Sequence, residues 1–217
     1  MNSVIILAGG EGKRLNSQIP KQFIEIDHRK IIDFSIIEFK KNKNVDEIIL
    51  VFPKKFINFF GKDYKDYKLT HGGKERFHST QNGLLLCSEK SENVLIHDAA
   101  RPLISQKLID DSINLLSKYD AVAPYIDIDD SLIELNTNIK YLDRNKIKSI
   151  QTPQSFKKKI FEKAILKSKK GYTDDMSALI NHNQNVNVKF FKGDKLNFKI
   201  TTDIDLHNFK NILKNEK

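Results

Sequence analysis

Val4-Ile5-Ile6-Leu7-Ala8-Gly9-Gly10-Glu11-Gly12-Lys13-Arg14 joins a wholly apolar run to a glycine turn that carries positive charge. The apolar run is rich in β-branched side chains and lacks polar alternation, which predicts a strand buried on both faces of a sheet. The glycines that follow have no Cβ, so their backbone N–H groups can approach an anion closely. Arg14, and Lys21 in the following Pro20-Lys21-Gln22-Phe23, supply fixed positive charge to this phosphate cradle. It is neither a P-loop, which needs Gly-Lys-Ser/Thr after the glycines, nor a dinucleotide fingerprint, which needs a glycine where Leu15 stands.

Beyond the turn, Ile31, Ile32, Ser35, Ile36 and Phe39 recur at helical spacing, and residues 47–52 form a second apolar strand stopped by Pro53. A short helix through Phe56 and Phe60 follows, closed by Gly61. Strand, helix, strand, helix is the start of a doubly wound α/β sheet. Residues 62–68 read as a polar surface connector. A second glycine turn, His71-Gly72-Gly73-Lys74-Glu75-Arg76, enters a helix whose apolar side is Leu84, Leu85 and Leu86. The helix start can take a base edge or a carbonyl through N–H groups, with Ser79 adding a hydroxyl; a plain capped turn is the competing reading.

A third strand, 93–96, ends in His97-Asp98-Ala99-Ala100-Arg101-Pro102. An aspartate at the carboxyl end of a central parallel strand stands where open α/β sheets bind ligands. Asp98 is placed to orient a hydroxyl or hold Mg²⁺, Ala99 leaves space beside it, and His97 reads as a packed or capped histidine without chemistry. Ser105 is a helix N-cap. A fourth strand, 121–126, leads to Asp127, Asp129 and Asp130; Asp127 and Asp129 read as a solvated edge.

Residues 132–134 and 139–142 predict a hairpin arm, within about 130–150, too small to bury its own apolar residues and so expected to pack against a second subunit. The passage 150–156 reads as a strand running into a turn before a helix over 157–167. Thr173-Asp174-Asp175 opens another helix, 186–191 is a strand, and the last helix, 204–213, is capped by Thr202 or Asp203.

The chain of 217 residues suits one domain, 1–217, with a sizeable core. Hydrophobic and charged fractions of 39% and 30% are those of a soluble protein, and no apolar run reaches the roughly 20 residues of a membrane span. The chain enters a strand at once, which predicts no signal peptide; with Cys87 alone there is no disulfide framework and no cysteine metal cluster, and a cytoplasmic location is expected. The formal charge of +9 comes from lysines scattered along the chain, a solvated surface rather than a nucleic-acid footprint. Such a surface would still draw in a polyanionic substrate.

Read together, AGG-x-G-x-R, PKQF, GG-x-ER-xx-S-xx-NGL, HDAARP, DR, QTPQ-x-F, TDD and N-x-KIT stand in an order and spacing that resembles the 2-C-methyl-D-erythritol 4-phosphate cytidylyltransferases over nearly the whole chain. The resemblance implies a Rossmann-like, mostly parallel sheet of the nucleotide-diphospho-sugar transferase type with the protruding arm. It implies transfer of CMP from CTP to a polyol phosphate, with Mg²⁺ carried mostly by the CTP phosphates, in a homodimer interlocked by the arm, with no nucleic acid and no membrane as partner.

By position, Ala8, Gly9, Gly10, Gly12, Gly73, Ser79 and Ala99 would hold the nucleotide, and Arg14, Lys21 and Lys199 the triphosphate. Asp98, Arg101, Ser131, Arg144, Thr173 and Thr201 would receive the acceptor, Arg144 and Thr201 from different subunits. Lys74 departs from the acidic residue often found there, and Asp130-Ser131 from the usual Asp-Thr. Residues 126–129 lack Pro-Val and are more similar to ribitol 5-phosphate cytidylyltransferases, as are LAGG and Phe52-Pro53-Lys54, whereas HDAARP and S-xx-NGL are closer to the methylerythritol group. Methylerythritol phosphate is the expected acceptor, ribitol phosphate the alternative.

Overall fold

The computed structural model describes residues 1–10, 19–135, 139–166 and 172–215. Along the chain run β1 (Asn2–Leu7), β2 (Glu25–Ile26), β3 (Arg29–Lys30), α1 (Ile31–Lys41), β4 (Glu47–Phe52), α2 (Ile57–Phe60), β5 (Lys68–His71), α3 (Arg76–Leu84), β6 (Asn93–Asp98) and α4 (Gln106–Leu115). Then follow β7 (Ala121–Asp127), β8 (Leu132–Leu135), β9 (Ile139–Leu142), β10 (Lys148–Ile150), β11 (Gln154–Lys157), α5 (Lys158–Ile165), α6 (Asp175–His182), β12 (Val188–Lys192) and α7 (Asp203–Asn215). Eight strands form the central sheet in the order β10-β7-β11-β6-β1-β4-β5, with β12 also paired to β7.

The predicted doubly wound sheet is present. β1 lies between β4 and β6, parallel to both. Its side chains alternate between faces, as a strand's must. Ile5 and Leu7 join Phe77, Leu84 and Phe161 on the face covered by α3, α5 and α6, while Val4, Ile6 and Ala8 join Ile36, Phe39 and Leu108 under α1 and α4. Leu7 is in register with both Val51 and Asp98. The segments that leave β1, β4 and β6 therefore emerge at one edge of the sheet.

The two halves of the sheet are joined by β11, antiparallel to β6 on one side and β7 on the other. The expected strand-to-turn passage is thus a central element, with the run 150–156 bent at the cis Thr152–Pro153 peptide. Antiparallel direction brings the start of β11, preceded by Thr152, to the edge where β6 ends: the Asp98 N–H donates to Thr152 Oγ1 over 3.1 Å.

Three other expectations change. The connector 62–68 is anchored: Tyr64 is buried, packs edge-on against Phe52 and donates its hydroxyl to Asp33 over 2.6 Å. Its last residue, Lys68, begins β5. Leu85 is 69% exposed, because α3 ends at Leu84 and the next residue leaves the buried stripe. The caps follow their chemistry, Ser105 Oγ accepting from the Leu108 N–H and Thr202 Oγ1 from the Asp205 N–H.

The arm is a separate ribbon in which Ile133 pairs with Tyr141 and Leu135 with Ile139. These four side chains are 46–76% exposed. Asp127 and Asp129 lie at an exposed edge as predicted, but paired: Asp127 with Lys148 and Lys192, Asp129 with Lys195.

Candidate active site

The strand ends open onto a cleft of about 950 Å³, within the usual size of small-molecule sites. Two glycine loops meet at one wall. A Cβ on Gly72 would stand 3.0 Å from Gly9 Cα and 3.0 Å from Ser79 Oγ, so the loops touch backbone to backbone and a side chain there would press them apart. Ser79 Oγ accepts the Gly73 N–H over 3.2 Å, which leaves its own hydrogen to donate to a ligand. Gln22, nearly fully buried, donates from Nε2 to the Ala8 and Gly10 carbonyls and sews the first loop to the PKQF segment.

The opposite wall comes from the far end of the chain. Lys199 reaches Asp98 Oδ2 with Nζ over 2.8 Å, and Lys21 Nζ donates to the Ile200 carbonyl. The lysine-bearing segment is fixed from behind: Ile200 N–H donates to Ala100 O, Arg101 Nη1 to Asn197 O at 2.8 Å, and Gln151 Nε2 to the Asn197 and Asp194 carbonyls. Thr201 lines the cleft, its hydroxyl and N–H both donated to Asp205 Oδ2 at 2.8 Å.

Asp98 is the electrostatic centre. Lys199 holds one oxygen, and Arg76 faces the other with Nε and Nη2 at 3.3 Å each. Burial pushes this carboxyl upward, but Arg76, Lys199 and Arg101 outweigh burial and hold it far below the usual carboxylate range. Arg76 also donates Nη1 to Asp175, whose other oxygen accepts from Thr80 Oγ1 over 2.8 Å. Burial raises the Asp175 carboxyl above its ordinary value against the pull of that single shared cation.

Behind Asp98, the hydroxyl of Thr152 lies 3.1 Å from His97 Nδ1, and His97 Nε2 lies 3.1 Å from the Arg101 carbonyl. A carbonyl only accepts, so Nε2 carries the proton and Thr152 donates to Nδ1. His97 is therefore a packed, structural histidine, as its sequence context suggests.

Ala8, Gly9, Gly10, Lys21, Gly73, Ser79, Asp98, Ala99, Lys199 and Thr201 line the cleft. Gly12 and Arg14 lie outside the described residues. Arg101 sits behind the cleft wall, on Asn197. Thr173 is exposed just before Asp174, the N-cap of α6. Ser131 and Arg144 are at the base of the arm, where Arg144 donates to the Asp129 carbonyl in a second cleft of about 540 Å³ shared with Asp127, Asn145 and Lys148. One chain does not bring these four residues into the main cleft.

Sequence reasoning missed Arg76, Gln22 and Asp175. Their signal was present in PKQF, ER and TDD, but each takes its meaning from partners 12 to 99 residues away. Among the described residues no group of three or more His, Cys, Asp or Glu is arranged to hold a metal ion. Both Asp98 oxygens are turned to cations, Oδ1 to Arg76 and Oδ2 to Lys199.

The family model of IspD, 2-C-methyl-D-erythritol 4-phosphate cytidylyltransferase, matches residues 2–215. The chain is 37% identical to the 2-C-methyl-D-erythritol 4-phosphate cytidylyltransferase of Clostridium perfringens (strain SM101 / Type A), covering 93% of this chain and 94% of that protein. It is 39% identical to the bifunctional enzyme IspD/IspF of Pelagibacter ubique, over 99% of this chain and 58% of that one. Among solved structures it superposes on the 4-diphosphocytidyl-2C-methyl-D-erythritol synthase of Anaerococcus prevotii with a TM-score of 0.86 at 30% identity, over 98% and 96% of the two chains. Glycine loops, paired lysines and a matched length from end to end converge on one conclusion: the chain belongs to the 2-C-methyl-D-erythritol 4-phosphate cytidylyltransferase family.

Proposed function

We propose that this protein transfers CMP from CTP to 2-C-methyl-D-erythritol 4-phosphate, giving 4-diphosphocytidyl-2-C-methyl-D-erythritol and pyrophosphate. The observation that carries the reading is the meeting of Lys21 and Lys199, from opposite ends of the chain, beside a backbone cradle that lacks side chains. An acceptor phosphate oxygen attacks the α-phosphorus in line, the bond to the β-phosphate oxygen breaks, and pyrophosphate leaves. The acceptor is already an anion near neutral pH and needs no general base. What the protein supplies is position and a fixed positive field for charge accumulating on the α-phosphate oxygens.

The glycine loop and Ser79 take the nucleotide, Lys21 and Lys199 face the phosphates, and Asp98 orients a hydroxyl while holding Lys199 in place. A Mg²⁺ ion carried on the triphosphate would neutralise charge there. Arg144 and Ser131 lie on the arm, so their contribution to acceptor binding requires a second copy. The four exposed apolar side chains of the arm support a homodimer in which each arm reaches the neighbouring cleft. Among the described residues no helix is long and apolar enough to cross a membrane. We place the reaction in the cytoplasm with soluble substrates.

The test is pyrophosphate release with CTP and Mg²⁺, run in parallel with 2-C-methyl-D-erythritol 4-phosphate and D-ribitol 5-phosphate. A kcat/KM at least tenfold higher for the first, about 1.4 kcal/mol of discrimination, is expected. Preference for the second would overturn the acceptor, and release with neither would overturn the reaction.

A further inference from the structure

We propose that Asp175 is a positioning residue: from beneath the cleft it holds the Arg76 guanidinium off Asp98, so that Asp98 keeps Lys199 aimed at the phosphates. This inference rests on the reading of the cleft as a CMP-transfer site. Four charges form an alternating line from α6 to the cleft: Asp175, Arg76, Asp98, Lys199. The spacing along it is uneven. Arg76 Nη1 lies 2.5 Å from Asp175 Oδ2, while Nε and Nη2 stand back from Asp98 at 3.3 Å, the long end of a hydrogen bond.

Asp175 has the firmer grip because it is the more deeply placed, 1% exposed against 8% for Asp98, and because it is held on its other side. Thr80, fully buried on α3, holds its other oxygen. The start of α6 is bolted to β11, where Gln154 donates Nε2 to Asp174 and accepts the Met176 N–H, each at 2.9 Å.

A guanidinium prefers to fork onto a single carboxylate with two parallel bonds. Without the Asp175 charge, Arg76 is free to do so on Asp98, engaging both oxygens and competing with the 2.8 Å contact to Lys199 Nζ. The Lys199 backbone would stay in place, since its anchors to Ala100, Arg101 and Gln151 do not involve Asp98. Only the aim of the ammonium would be lost.

The experiment is a double-mutant cycle in pyrophosphate release with CTP and 2-C-methyl-D-erythritol 4-phosphate: wild type, Asp175→Asn, Lys199→Met and the double variant. Asp175→Asn should lower kcat about tenfold without raising KM for CTP, because removing an anion leaves the ground-state cleft more positive. In the Lys199→Met background it should add no further loss. Thr80→Val, which frees one Asp175 oxygen at nearly constant volume, should give the same pattern more weakly and serves if Asp175→Asn folds poorly.

Losses that multiply in the double variant, or a rise in KM at constant kcat, would overturn the proposal. If wild type releases no pyrophosphate, the function reading fails, and the ligand-free protein decides the inference. The chain has five arginines, so the Arg76 Nε–H proton can be assigned by NMR with Arg76→Lys. It should move downfield in Asp175→Asn as its bond to Asp98 shortens; broadening into solvent exchange would overturn the proposal.

Discussion

Lys21 sits at the start of a short helical turn whose next residue, Gln22, closes the first glycine loop, so its charge is placed by backbone rather than by a flexible stem alone. Lys21→Ala should lower kcat by about 10²–10³, the cost of deleting one preorganised charge from a transition state, with the thermal midpoint little changed. An unaltered rate would remove Lys21 from the mechanism. His97 makes a prediction of another kind. Burial, opposed by the Arg101 carbonyl, pushes its imidazole down to about 4, whereas the unfolded chain titrates near 6.5.

Between those values the unfolded state binds a proton that the native state refuses. The contribution of His97 to stability is therefore constant above about pH 6.5 and is lost as pH drops toward 4, by up to about 3 kcal/mol. Urea midpoints between pH 6.5 and 5, above the range of ordinary carboxylates, should show the slope, and His97→Gln should flatten it. Asp98 could be picked out from sequence because residue type, motif and strand end coincide, and Lys21 because it follows the glycine turn; Lys199 could be picked out through the family motif alone. Arg76 could not, since an arginine beside Glu75 reads as a solvated helix start until Asp98 and Asp175 are seen on either side of it.

α3 presses its glycine against the sheet: a Cβ on Gly83 would lie 2.5 Å from Ile5 Cγ2 and 3.1 Å from Val51 Cγ2. Gly83→Ala gains about 1 kcal/mol of helix propensity but overpacks fully buried neighbours, which costs roughly 1–3 kcal/mol. Overpacking should prevail, with a lower urea midpoint. Because α3 also carries Arg76, Ser79 and Thr80, KM for CTP should rise; a stabilised variant with unchanged KM would contradict this packing. Apolar periodicity made α1, β1, β4, β6 and β7 legible, since each buries its own pattern. It gave only a strand-to-turn passage for β11 and a loop for the segment around Tyr64. The central place of β11 and the hold of Asp33 on Tyr64 depend on partners, not on local period.

At the scale of the whole molecule, the arm carries an exposed apolar face. Ile133, Leu135, Ile139 and Tyr141 share one face of the arm by register, and all four are exposed. Leu135→Asp with Ile139→Asp should halve the mass seen in sedimentation at micromolar concentration. It should raise KM for the acceptor more than KM for CTP, because Arg144 stands at the base of the arm and the nucleotide cradle does not.

The place of β11 bears on how the molecule comes together. β6 and β7 are consecutive large-sheet strands, yet they cannot pair with each other, because the slot between them belongs to a strand that begins at Gln154. Until that strand arrives, a growing chain carries two exposed, strongly apolar edges, the configuration most open to pairing with another chain. Completion of the sheet is thus a late, long-range event, and a fragment ending before Gln154 should aggregate rather than fold, however complete its glycine loops.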